Sequence, residues 1–201
     1  MTREKAHELL LWAHEQNPGL WLGHSQTAAY AAEKLACACG LDSEKAYIMG
    51  LLHDIGRFEG VRGMHHTIAG YDLMMQKGYP EIARICLTHS FPLPDTNAYT
   101  GPQDCAPEEI AFLKEQLGSL SFNSYDRLIQ LCDALAMPNG ISTIEERLFE
   151  GTLRHGFNDH TQEKWRAFLN LKKEFDALCG INIYQLFQSE ISIRIFGKNS
   201  N

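Results

Sequence analysis

Four polar residues stand where helical periodicity asks for apolar ones: His24, the adjacent pair His53-Asp54, and Asp133. His24 aligns with Ala28, Ala31 and Leu35, at offsets of 4, 7 and 11, which trace the inward face of an α-helix. His53 shares a face with Ala46, Met49 and Gly50, and Asp54 follows at that helix's end. Asp133 lies in the run LIQLCDALAM, in line with Ile129, Ala136 and Met137. A carboxylate buried in such a run is costly unless a cation, either an arginine or a metal ion, stands beside it. Singly, each of these residues reads as a hydrogen-bonded core group. As a set, imidazoles and carboxylates make a site for borderline divalent ions such as Mn, Fe, Co or Zn, and no grouped thiolates point to a soft-metal site.

The elements that must bring these residues together read as helices almost throughout, so the expected fold class is all-α, with metal ligands converging on a bundle core. A first helix spans about 2–16 and stops at Asn17-Pro18-Gly19. A second spans about 24–39 with Gly40 as its stop, and a third, capped by Asp42 or Ser43, reaches His53-Asp54. The segment RFEGVRGM suits a loop before a helix over about 65–77. Pro80 opens the next helix, which carries Ile82, Ile85, Cys86 and His89 on one side, so His89 also stands on an apolar face. Four prolines, at 92, 94, 102 and 107, make Phe91 to Pro107 a long irregular loop, a common form for a lid. Further helices are expected at about 107–117, 123–136, 142–154 and 160–179, with an amphipathic segment near 182–195 read as helix.

With 201 residues, 44% hydrophobic and 21% charged, one domain can bury a sizeable core, and a single helical domain is expected. A formal charge of -7 gives no general drive toward nucleic acid, so a small ligand is favoured as partner. The six cysteines form no C-x-x-C pair, which makes a zinc ribbon or a disulfide framework unexpected and free thiols the simpler reading. Neither a signal peptide nor a membrane-length apolar stretch is evident, and a cytoplasmic location without membrane contact is expected. A homodimer is compatible with the sequence. His7, His14, His155 and His160 lie in polar surroundings and read as solvent-exposed.

The order His24, His53-Asp54, Asp133 in a helical chain, with the segment GLLHDIGR over Gly50 to Arg57, resembles the HD-domain superfamily of metal-dependent phosphohydrolases. The resemblance covers about residues 20–140 and leaves 141–201 as a helical extension. Two further stretches, HHTIAGYDLM and ARICLTHS, look like those of members with two metal ions. The resemblance implies one ion on His24, His53, Asp54 and Asp133, and a second on Asp54, His66 and His89. His65 competes with His66, but His66 precedes Gly70 by four, the favoured spacing. Iron or manganese is expected ahead of Zn, Co, Ni or Mg.

The implied reaction is cleavage of a phosphoester or phosphoanhydride of a nucleotide or other small phosphorylated compound by a metal-bound hydroxide. No Ser or Cys nucleophile motif is visible. Asp54 and Arg57 are the expected catalytic residues, with Arg57 also binding the phosphoryl oxygens and Tyr99 or Phe91 stacking on a base. Relatives acting on deoxynucleoside monophosphates tend to have Glu three residues beyond the HD aspartate, where this chain has Arg57. Two rival readings share the ligand pattern: a di-iron oxygenase on the same fold, and a non-catalytic nucleotide-binding regulatory module.

Overall fold

The computed structural model describes residues 1–197. Its ten α-helices in chain order are α1 Arg3–Gln16, α2 Trp21–Ala38, α3 Ser43–Leu52, α4 His65–Gln76, α5 Pro80–Thr88, α6 Pro107–Ser119, α7 Ser124–Leu135, α8 Ile144–His155, α9 Thr161–Cys179 and α10 Gln188–Phe196. The fold is all-α. Helix starts follow local chemistry: Thr2, Asp42, Asn123 and Thr143 each accept a backbone N–H from the first turn of α1, α3, α7 and α8. Proline opens α5 and α6, where its missing N–H has no helical partner to lose.

Four details differ from the expected boundaries. Helix α2 begins at Trp21 rather than near His24, and the Trp21 indole donates to the Asn17 carbonyl at 2.8 Å, securing the turn that Pro18-Gly19 makes. Part of the expected loop after Asp54 is a 3-10 turn, Ile55–Glu59. After α7 the chain forms a small antiparallel hairpin, β1 Ala136–Met137 with β2 Gly140–Ile141, pairing Ala136 with Ile141 across Pro138-Asn139. Cys39 and Cys179 are paired as a disulfide at the ends of α2 and α9, although free thiols were expected. Their proximity follows from how two helices far apart in sequence end side by side, which cysteine spacing does not show.

Two close approaches set the geometry beneath the ligands. A Cβ on Gly50 would lie 2.9 Å from the Ala28 carbonyl oxygen and the Ala29 Cα, so α3 and the alanine-rich α2 touch backbone to backbone. On Gly56 it would sit 2.0 Å from the His66 carbonyl oxygen, so the turn after Asp54 lies directly on the start of α4. The apolar core divides around these contacts. Leu35, Met49, Ile129, Phe168 and Phe187 fill one side, Leu10, Leu51, Ile55, Met74 and Cys86 another, and Met64, Leu87, Phe91 and Leu113 a third. No helix among the described residues is long and apolar enough to cross a membrane.

A polar staple joins α5 to α7. Asp126 is fully buried and accepts from the Arg84 Nε at 2.9 Å, the Arg84 Nη2 at 2.5 Å, the Thr88 hydroxyl at 2.9 Å and the Asn123 N–H at 2.8 Å. One helical turn on, the Gln130 amide donates to the carbonyls of Thr88 and Phe91, which are left over where α5 ends. A buried, fully hydrogen-bonded carboxylate of this kind is destabilising to break, because its partners then stand unpaired. We expect Asp126→Ala to lower unfolding free energy by about 3 kcal/mol, read as a lower urea midpoint at unchanged slope. A loss under about 1 kcal/mol would show that the staple contributes no more than an exposed ion pair.

Candidate metal centre

Each central histidine arrives with its ring already oriented. His53, at the C-terminal end of α3, points Nδ1 at the Gly50 carbonyl, 2.7 Å away. His24 in α2 points Nδ1 at the Ala136 carbonyl of the hairpin at 3.2 Å. His66, in the first turn of α4, does the same to the Gly63 carbonyl, and His89, just past α5, to the Cys86 carbonyl at 2.9 Å. A carbonyl oxygen only accepts, so Nδ1 carries the hydrogen in all four and Nε2 keeps its lone pair. This is the outer bracing that metal-ligating histidines use.

The four Nε2 atoms converge in two pairs. His24 and His53 bring theirs to 3.2 Å, and His66 and His89 likewise to 3.2 Å. Lone pairs so close, with no hydrogen between them, repel unless a cation joins them. Asp54 stands between the pairs. Its Oδ1 lies 3.0 Å from His66 Nε2 and 3.4 Å from His89 Nε2, while its Oδ2 lies 3.9 Å from both His24 and His53. Asp133 Oδ1 completes the first group, 3.0 Å from His24 Nε2 and 3.8 Å from His53 Nε2. Ligands held 2.0–2.2 Å from a tetrahedral ion are about 3.4 Å from one another, within the span of these separations. Asp54 Oδ1 is buried without a hydrogen-bond partner, the orphan acceptor that a cation would satisfy. The residues therefore fit two divalent ions sharing Asp54.

Burial sets the charge states. It pushes His53 down to about 4 and His66 down as well, the latter helped by Arg57, so both rings are neutral near pH 7. Burial alone would raise the Asp54 carboxyl, but the Arg57 guanidinium beside it holds it well below the usual carboxylate range. Asp133 is likewise held low against its own burial, chiefly by its contact with His24. Its carboxyl is one-fifth exposed, whereas His53, His66 and Asp54 are almost fully enclosed, so the centre opens to solvent on the Asp133 side.

The other expected residues fall into different places. Arg57 Nε donates to Asp54 Oδ2 at 2.5 Å, so its first contact is with the central carboxylate. Tyr99 is half-buried, with its phenol pushed up by burial and within the fields of Arg57, Asp54 and Asp133. Phe91 is 1% exposed in the core beside Met64 and Leu113 and offers no face for stacking. His65 turns outward, 2.9 Å from a Glu59 oxygen and 3.1 Å from a Glu109 oxygen, leaving His66 as the inward member of the pair. His155 is exposed as expected, but His7 is half-buried on the Tyr47 hydroxyl at 2.9 Å and His14 packs against Trp21. One nearby cation had no signal in the sequence: Lys164, from α9, lies 5.7 Å from the Tyr99 ring centre.

The depressed His53 value carries a consequence for acid stability. Its ordinary value is 6.5, so between about pH 6.5 and 4 the unfolded chain binds a proton that the folded chain refuses, and stability falls as pH falls. For the metal-free protein we expect up to about 3 kcal/mol of stability to be lost across that window from this group. The loss should shrink in His53→Gln. An equally steep fall in that variant, followed by denaturation at stepped pH, would assign the effect to other groups.

A model of the HD domain family matches residues 21–137, which hold all six residues of the centre. No curated protein and no solved structure matches the chain. The family is mostly metal-dependent hydrolases, in keeping with His/Asp clusters here that can hold divalent ions. With more than half its length matched and the ligand pattern in place, this chain belongs to the HD domain family.

Proposed function

We propose that the protein is a metal-dependent phosphohydrolase that cleaves a phosphoester or phosphoanhydride of a nucleotide or other small phosphorylated compound. The observation that carries this reading is the pair of Nε2 couples, each 3.2 Å apart, on either side of one buried carboxylate. His24, His53, Asp133 and Asp54 Oδ2 would hold one ion, and His66, His89 and Asp54 Oδ1 the other; the N/O donor set suits a borderline divalent ion, and iron or manganese is the proposed choice from the family resemblance. When bound, such a pair of ions activates water and clamps the oxygens of a phosphoryl group.

The chain's own residues supply the rest. The histidine rings need no reorganisation, because backbone carbonyls fix them in the ligating tautomer. Arg57 braces Asp54 through Nε and has further N–H groups for a phosphoryl oxygen, so its proposed role is positioning as well as substrate contact. Tyr99 lines the open side as a further substrate contact. The net charge of -7 supports a small substrate over nucleic acid.

The ligand geometry gives different variants different metal contents. Purified protein should hold about two ions, His89→Gln about one, and Asp54→Ala close to none, because Asp54 serves both groups. Both variants should lose at least about 1,000-fold in hydrolysis of a phosphoester panel. Two ions with oxygen uptake and no hydrolysis would establish the oxygenase instead. Two ions with nucleotide-dependent thermal stabilisation but no turnover would establish a regulatory module.

A further inference from the structure

Two lysines of α9 lie on its inward face, and they are treated differently. Phe168, Leu171 and Phe175 mark that face, and Lys164 and Lys172 share it at helical spacing. Lys172 is buried but paired, 2.7 Å from an Asp176 oxygen and 3.1 Å from the Asn182 side chain. Lys164 is half-buried and, among the described residues, has no carboxylate within ion-pair distance. Its ammonium meets only the Thr100 hydroxyl, at 3.4 Å, and the Tyr99 ring. An ammonium removed from water without a counter-charge is destabilising. Burial, with Arg147 adding to it, lowers the Lys164 value to about 8 although Asp133 pulls the other way. Arg147 itself is occupied by Glu150 at 3.1 Å, whereas Lys164 is committed to no carboxylate among the described residues.

Resting on the phosphohydrolase reading, we propose that Lys164, with the Thr100 hydroxyl and Tyr99, forms an anion subsite at the open, Asp133 side of the metal centre, where its ammonium binds a phosphoryl oxygen of the substrate. The subsite joins two parts of the chain that no local pattern relates: the proline-rich loop supplies the neutral partners, and α9, beyond the family-matched segment, supplies the charge. An ammonium on a flexible stem is a point-charge phosphate binder, suited to a phosphoryl group whose orientation other groups fix. A bound phosphoryl group would provide the counter-charge that the protein withholds.

The test uses inorganic phosphate and the metal-loaded full-length chain, with Lys164→Gln and Lys164→Arg. Calorimetric phosphate affinity should fall about 10- to 100-fold in Lys164→Gln and stay within about threefold in Lys164→Arg, with metal content unchanged in both. Phosphate should also protect the Lys164 peptide from an amine-acylating reagent, read by mass spectrometry. Without phosphate, Lys164→Gln should unfold at the same temperature as the parent or higher, since it removes an unpaired charge; a lysine with a packing role would do the opposite. Unchanged phosphate affinity in Lys164→Gln together with no protection would overturn the subsite, even if the parent protein hydrolyses phosphoesters. Weakened binding and protection in a protein that hydrolyses none of them would keep the subsite and remove the hydrolase reading.

Discussion

The burial of Asp54 organises the molecule around it. An enclosed carboxylate needs compensating charge; the Arg57 guanidinium supplies it on Oδ2, while Oδ1 faces the Nε2 atoms of His66 and His89 with no donor of its own. With its two oxygens turned to opposite sides, the group divides the interior into two ligand clusters and belongs to both. That placement requires the turn after Asp54 to run against the start of α4, a fit that only a residue without Cβ allows at Gly56. A side chain there would meet the His66 carbonyl and the Gly70 backbone, forcing the turn that follows Asp54 away from α4.

Holding six ligand side chains within a few ångströms takes several helices, and each is fixed by contacts away from the ligands. Gly50 lets α3 settle on α2, which brings His53 to His24. The Arg84–Asp126–Thr88 staple sets α5 against α7, and hence His89 at the end of one and Asp133 near the end of the other. The hairpin after α7 returns the Ala136 carbonyl to His24. Such contacts are rigid and short, which suits a site whose ligands must be held before any ion arrives. The cost is visible in the facing lone pairs and in Asp54 Oδ1, all of which want positive charge.

The legible part of this arrangement was the part written in periodicity. His24, His53 and Asp133 betray themselves because a polar residue on an apolar stripe conflicts with its surroundings, and the helices follow from caps, prolines and glycines near their ends. His66 needed the resemblance, because two adjacent histidines differ only in which way α4 turns them; the fold sends His65 to Glu59 and Glu109. Asp126 closes the capping box of α7 with Asn123, but its pairing with Arg84 spans 42 positions and leaves no local trace. The same holds for Cys39 with Cys179. Phe91 is the converse case, an aromatic in a loop that looks available for stacking until the fold buries it beside Leu113.

On the proposed reading, ligand pattern and specificity are recorded in different parts of the chain. The candidate ligands lie wholly within residues 21–137, the segment that the HD family model matches, and divalent coordination would restrict their residue type and orientation. The proposed anion subsite combines Tyr99 and Thr100 on an irregular loop with Lys164 on a helix outside that segment. Coordination needs a few donors at fixed separations, whereas recognition of a phosphorylated compound is met by any cation or aromatic that reaches the opening. A family model built on the cage thus identifies the centre without naming the compound. On that reading, the groups that would discriminate among substrates are those that the cage's own sequence pattern does not specify.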